Sequence, residues 1–340
     1  MSAKTSIEWC DRTWNPTRGC SLVSAGCTNC YAMRVARRFD KPGLAYEGLT
    51  VMRPGLGPVW NGKIKLVEEA LLEPLRWRKP CRVFVNSMSD LFHEGVPDSF
   101  IDRVCAVIGL CPRHQFLVLT KREKRMREYM IAPGRELFVR HAMDTFRPNA
   151  LRKISGWPLP NLWLGVSVEN QAAAEQRIPA LLDTPAAVRF VSVEPLLGAV
   201  DLRQIRINAE PHCRGHCALT GVSTDTPWAY AKQGIGGPFS RGKLDWVIVG
   251  GESGPGARPM DLAWARSIVA QCKAAGVPVF MKQLGARPVL SEPRDWVLMP
   301  HRQEAPANIL QRVATLRDRK KGGDPSEWPE DLRVREYPRA

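Results

Sequence analysis

Six short apolar runs, each closed by polar residues, constrain the fold of this 340-residue chain more than any other feature. They are Arg82–Asn86, Phe116–Leu119, Leu162–Val166, Val188–Val191, Trp246–Val249 and Val277–Met281. Their β-branched and aromatic content suits strands buried on both faces of a parallel sheet. Helical patterns lie between several of them. Ile101, Val104, Cys105 and Ile108 make an apolar stripe after Asp98, and Leu262, Ala265, Ile268, Val269 and Cys272 make another. Asp261 is the candidate N-cap of the second helix and Gly276 its C-terminal stop. Alternation of strand and helix implies βαβ units. With a further strand near Trp9–Asn15 the count is about seven, and no phosphate-binding glycine fingerprint follows the first strand. The expected fold is therefore α/β, a partial β/α barrel.

A loop from Thr13 to Met33 sits at the start of this pattern and carries Cys20, Cys27 and Cys30, spaced C-x6-C-x2-C. Three thiolates on one loop can hold a four-iron cluster by three corners and leave the fourth iron open to a small molecule. The spacing alone also admits a zinc knuckle completed by a distant ligand such as Cys10, or three unrelated buried thiols. After the loop, Ala32, Val35, Ala36 and Phe39 fall on one face of a helix that ends at 40–43. Residues 48–63, rich in Gly and Pro, read as an irregular connection, and Ile64–Trp77 as a helix stopped before Pro80.

Polar residues gather just after the apolar runs: Ser87, Ser89, Asp90, Lys121, Ser167, Glu169, Ser192, Glu194, Glu252 and Lys282. These positions are the carboxyl ends of the strands, where β/α barrels build active sites. Any one of them alone is an ordinary turn or cap residue; their recurrence implies a site. The barrel is expected over 1–290, with the cysteine loop at 13–33. Two insertions interrupt it, a basic one at about 126–160 and one at about 206–243. The second contains His212, Cys213, His216 and Cys217, a candidate second metal site, although adjacent ligands often cannot all reach one ion. Residues 291–340 read as a peripheral C-terminal extension with a loose tail.

The formal net charge is +15, from 49 Lys and Arg against 34 Asp and Glu, which favours polyanionic partners and nucleic acid first. No apolar run approaches the ~18–20 residues of a membrane span, and no signal-peptide core opens the chain. A cytoplasmic setting is expected, so the ten cysteines are read as reduced thiols, either metal ligands or buried apolar residues.

Four blocks, Thr13–Cys20, Cys27–Ala32, Ser192–Gly198 and Val247–Ser253, resemble the phage-type three-cysteine-motif family, which is grouped with radical S-adenosylmethionine (SAM) proteins. The resemblance runs from Ser6 to Gly285. It implies a partial barrel of the radical SAM type, with a [4Fe–4S] cluster on Cys20, Cys27 and Cys30 and SAM at the open iron. The chain is also distantly similar to the spore photoproduct lyases, radical SAM enzymes that repair DNA. That similarity implies that Tyr31, directly after the third cysteine, lies near SAM, and that Ser87 or Ser89 together with Lys121 hold its amino-acid moiety. Lys121 would pair with the SAM carboxylate, and Glu194 or Glu252 would receive its ammonium or ribose hydroxyls. Asp90, Ser167 and Glu169 complete the cofactor-binding candidates. Two departures from the radical SAM pattern stand out: the first cysteine gap is six rather than three, and Asn29 replaces the usual aromatic before the third cysteine. The expected activity is generation of a 5′-deoxyadenosyl radical, fed by an electron donor and acting on nucleic acid or a nucleotide, with Trp157 or Trp163 stacking on a base. The alternative is a non-catalytic, zinc-containing nucleic-acid-binding protein.

Overall fold

The computed structural model describes residues 5–148, 156–206, 216–223, 242–291, 312–313, 316–318 and 320–338. Its main sheet has seven parallel strands that follow one another in chain order: β1 (Arg12–Trp14), β2 (Arg82–Val85), β3 (Gln115–Thr120), β4 (Leu162–Ser167), β5 (Val188–Val193), β6 (Trp246–Gly250) and β7 (Val279–Gln283). Consecutive parallel strands require crossovers, and the result is the partial β/α barrel expected from the apolar runs. The chain divides into two compact units. One comprises Met1–Val166 and Asp183–Arg189, the other Ser167–Leu182 and Phe190–Ala340.

In the first unit, Trp14 pairs with Val85, Val85 with Val118, and Val118 with Leu164. All four side chains are buried. Helix α1 (Tyr31–Arg38) leaves the cysteine loop and buries Ala32, Met33 and Ala36. Helix α2 (Asp98–Leu110) buries the predicted stripe together with Phe100 and Val107. The expected basic insertion begins as two helices, α3 (Glu123–Ile131) and α4 (Arg135–Phe146). Its arginines are partly neutralised: Arg135 pairs with Asp98 at 2.7 Å and Asp102 at 3.0 Å, and Arg140 with Glu136 at 2.6 Å.

Two expectations for this unit are corrected. Residues Thr50–Arg53 and Gly57–Trp60 form an antiparallel hairpin rather than an irregular connection. The glycines that suggested coil, Gly55 and Gly57, take positive φ values of 74° and 77° at its turn. The helix expected over Ile64–Trp77 is reduced to one α-turn, Glu68–Leu71, and a 3₁₀ turn, Glu73–Arg76. Lys65–Leu66 instead pairs with Thr17–Arg18, and Pro74 lacks the N–H that a continuing helix needs.

In the second unit, Trp246 lies 5.8 Å from Phe190 and 6.1 Å from Phe280, ring centre to ring centre. Helix α5 (Gln171–Leu182) starts where Asn170 Oδ1 accepts from Ala173 N–H at 3.0 Å. Helix α6 (Leu262–Ala275) is capped as the sequence predicts: Asp261 Oδ1 accepts from Ala263 N–H at 2.9 Å, and Gly276 closes it with φ 65°. The tail is not loose over its described residues. Trp328 and Leu332 are buried, and the backbone from 334 to 336 pairs with the outer edge of β7, Met281 N–H to Val334 O at 2.8 Å and Glu336 N–H to Val279 O at 3.0 Å. Covering an edge strand in this way removes a template for aggregation. Among the described residues no helix is long and apolar enough to cross a membrane.

Candidate functional site

The cysteine loop is held at both ends. Its start is pinned because Gly19, at φ 92°, lies so close to the following segment that a Cβ there would meet Lys63 O at 2.2 Å. Gly62 N–H then donates to Cys20 O at 3.2 Å. Its end is a 3₁₀ turn, Ala25–Cys27, after which Cys30 N–H donates to Cys27 O at 3.2 Å and α1 begins. Cys20 and Cys30 pack against a small core made by Ala32, Met33 and Ala36 of α1, Val59 and Trp60 of the hairpin, and Met88. The hairpin thus supplies the floor under the loop.

Burial pushes the Cys20 thiol up to about 12, and Asp90 adds to the rise while Arg122 opposes it. Burial also raises Cys30, opposed by its bond from the Ala32 N–H and by the Lys121 ammonium. Each of these two thiols is further raised by the charge of its neighbours: Cys27 and Cys30 act on Cys20, and Cys27 acts on Cys30. The three therefore share one electrostatic site. A buried thiol keeps its proton until a cation displaces it.

The residues that end β2 and β3 crowd beside this loop. Tyr31, the first residue of α1, is exposed, and its hydroxyl donates to Ser87 O at 2.7 Å. Ser87 Oγ donates to Asn15 Oδ1 at 3.2 Å, and Ser89 exchanges bonds with Thr17, 2.9 Å from its hydroxyl and 2.8 Å from its carbonyl. Asp90 is buried and accepts from Thr120 Oγ1 at 2.8 and 2.9 Å, Phe92 N–H at 3.0 Å, Lys121 N–H at 3.2 Å and Arg122 Nη1 at 3.0 Å. It is filled by protein partners. Lys121, in contrast, forms no ion pair among the described residues.

Arg122 is the residue that sequence reasoning missed. Besides Asp90, its Nε donates to both Glu94 oxygens at 3.1 Å and its Nη2 to Ser21 Oγ at 2.7 Å. Ser21 Oγ also meets His93 Nε2 at 2.9 Å. Gly95 N–H donates to His93 Nδ1 at 3.0 Å, so the ring hydrogen is on Nε2 and points to Ser21. Burial opposes the guanidinium charge, but Asp90, Cys20 and Glu94 outweigh it and hold Arg122 protonated. Its position in the run Thr120-Lys-Arg122 was the available signal. Ser21, His93 and Glu94 carried none, because their convergence joins three separate segments.

The candidates of the second unit are mostly paired. Glu169 and Arg177, both buried, meet at 2.8 Å, and the same Arg177 Nη1 donates to Ser167 O at 2.7 Å. Glu252 accepts from Arg258 Nη2 at 2.6 Å, its Nε at 3.0 Å and its backbone N–H at 2.8 Å. Ser192 is buried within β5, and its carbonyl accepts from Val168 N–H at 2.9 Å. Glu194 Oε1 accepts from Lys282 Nζ at 2.6 Å and Gln283 Nε2 at 3.2 Å. Among the described residues Gln283 Oε1 is buried without a partner. Of the candidate second metal site, His212 and Cys213 lie outside the described residues. His216 and Cys217 form a short antiparallel pairing with Val222–Ser223. Trp163 is buried in β4 and cannot stack on a base, whereas Trp157 is half-buried with its ring N–H on Met130 O at 3.1 Å.

Among the described residues, no three His, Cys, Asp or Glu side chains converge on a single ion. A four-iron cube does not require that convergence, because each thiolate binds a different iron. The donor set fits such a group: three half-buried thiols on one loop, with two cations beside them to balance the anionic charge.

Fold and site together define a partial β/α-barrel protein carrying a three-cysteine loop. Over residues 4–321 the chain matches the family described as "Protein of unknown function (DUF5131)", and it belongs to that family. The phage-type grouping stays a resemblance. A search of the curated proteins finds no match. Among solved structures, a cysteine-to-serine mutant of spore photoproduct lyase is similar at a TM-score of 0.32 and 13% identity, over 57% of this chain and 48% of that one. The chain thus spans about half the length of that structure, 48%.

Proposed function

We propose that the protein is a radical SAM-type iron–sulfur enzyme acting on nucleic acid or a nucleotide. The observation that carries this reading is the arrangement around the loop: Cys20 and Cys30 are seated on one small core, Cys20, Cys27 and Cys30 feel one another's charge, and the Lys121 ammonium, which forms no ion pair among the described residues, acts on Cys30. A binding module with structural zinc has no use for a cation held beside the thiols in this way. Cys10, the candidate fourth zinc ligand, is buried, and its thiol donates to Ile7 O at 3.8 Å.

When bound, a three-thiolate cluster with SAM at its open iron supplies reductive cleavage of SAM to methionine and a 5′-deoxyadenosyl radical. The chain's own residues bind and orient. Lys121 receives a carboxylate by a charge-assisted bond. Tyr31, exposed and tied by its hydroxyl to Ser87 O just after β2, covers the ligand. The net charge of +15 supports a polyanionic substrate. The test is anaerobic: load the protein with iron and sulfide, add a reductant and SAM, and measure 5′-deoxyadenosine. Its formation in the loaded protein and not in the metal-free protein is expected. A loaded protein that binds SAM and never cleaves it contradicts the proposal.

A further inference from the structure

Arg122 Nη1 lies 3.9 Å from Cys20 Sγ, within range of an N–H···S bond. Nothing about this guanidinium is free to move. The same Nη1 also donates to Asp90 at 3.0 Å, Nε donates to Glu94 and Nη2 to Ser21, and Asp90 and Ser21 are in turn fixed by Thr120, Phe92 and His93. A surface arginine that merely balanced charge would need no such bracing. Two carboxylates also cancel much of its charge at a distance. What survives the cancellation is short-ranged and directional, a donor aimed at one sulfur.

We propose that Arg122 is a positioning residue for the cysteine loop, and that its N–H bond to the Cys20 sulfur raises the reduction potential of a cluster held there. This rests on the reading that Cys20, Cys27 and Cys30 hold a cluster. Hydrogen bonds to cluster sulfurs and the net charge around them are established levers on potential. The reduced cluster carries one more electron, so its sulfurs are richer in charge and gain more from the donor than those of the oxidised cluster. Asp90 and Glu94 set the guanidinium plane, and Ser21, the residue after Cys20, ties the same plane to the loop.

Three proteins test this: the wild type, Arg122→Lys, and the double variant Arg122→Met with Asp90→Asn. The lysine keeps the charge and lacks the planar fork. The double variant removes both charges together, so that no buried carboxylate is stranded. Each is loaded anaerobically, checked for iron, sulfide and cooperative melting, and titrated electrochemically with the reduced state followed by electron paramagnetic resonance. The expected result is unchanged iron content with the reduction equilibrium moved about tenfold toward the oxidised form in both variants, which is about 59 mV for a one-electron couple. Wild-type midpoints in folded, loaded variants overturn the proposal and leave the cluster reading intact. A wild type that takes up no iron overturns both.

Discussion

Lys121 keeps its ammonium out of every ion pair among the described residues, while Arg122 beside it is braced by Asp90, Glu94 and Ser21. On the proposed reading Lys121 is the residue that binds the ligand. Lys121→Ala removes a charge-assisted contact worth roughly 1.5–3 kcal/mol, so SAM affinity measured by calorimetry should fall about ten- to a hundredfold. An unchanged affinity counts against Lys121 as a ligand. Lys121 was legible in the sequence because it follows an apolar run directly, whereas Arg122 becomes meaningful only when Asp90, Glu94 and Ser21 are brought to it. His114, at the other end of β3, makes a separate prediction. Burial, aided by Arg113 and Arg12, lowers its pKa, although the bond to Trp77 O opposes this. Its Nε2–H therefore donates to Trp77 O at 3.3 Å and its Nδ1 accepts from the Cys81 thiol at 3.4 Å. The unfolded chain protonates this histidine near the ordinary value of about 6.5, and the folded chain resists until lower pH. The unfolded state then binds more protons, so stability is fully present above about 6.5 and is lost as pH falls from there toward the folded value. Urea unfolding at about pH 7.5 and about pH 5.5 should show this loss, and His114→Gln should shrink it. Equal losses in the two proteins would contradict the assignment.

The strands were readable because a parallel sheet buried on both faces demands short, nearly continuous apolar segments, and these were present from Arg82 to Met281. The hairpin at 50–60 was not, because Gly55 and Gly57 serve its turn and look like coil in the sequence. The capping of α6 was readable from Asp261 and Gly276, which act locally. The seat of the cysteine loop was not, because it depends on Lys63 meeting Gly19 across a gap in sequence. Gly19→Ala puts a methyl 2.2 Å from Lys63 O on a backbone with positive φ. The loop must shift, so the variant should melt at a lower temperature and take up less iron than wild type; wild-type values for both would show that the seat is dispensable. The C-terminal segment carries a prediction of its own. Deleting residues 328–340 removes buried Trp328 and Leu332 and uncovers the edge of β7. Lower melting and aggregation by light scattering are expected, and an unchanged, monodisperse protein would contradict the packing described.

At the scale of the whole molecule, the charge of +15 was legible, but its distribution was not. Several arginines counted toward a basic surface, among them Arg103, Arg135, Arg177 and Arg258, are spent on carboxylates. Their carboxylate partners are already subtracted in the net charge, so the excess cations lie elsewhere, and binding to nucleic acid should weaken with a steep salt slope, because each neutralised phosphate releases a counterion. Titrating labelled single-stranded and duplex oligonucleotides at two salt concentrations reads that slope, and no binding at low salt removes the nucleic-acid part of the reading. The central claim lies upstream of the substrate: three thiols on one loop hold one cluster. The most direct measurement is iron and acid-labile sulfide per chain after anaerobic reconstitution, in wild type and in Cys20→Ala, Cys27→Ala and Cys30→Ala. Cys105→Ala and Cys272→Ala serve as controls, buried in α2 and α6 and expected to cost only packing, on the order of 1 kcal/mol. The account predicts about four iron and about four sulfide in wild type and both controls, and loss of the cluster in each of the three loop variants. Full iron in any loop variant, or a colourless wild type that carries zinc instead, would contradict it.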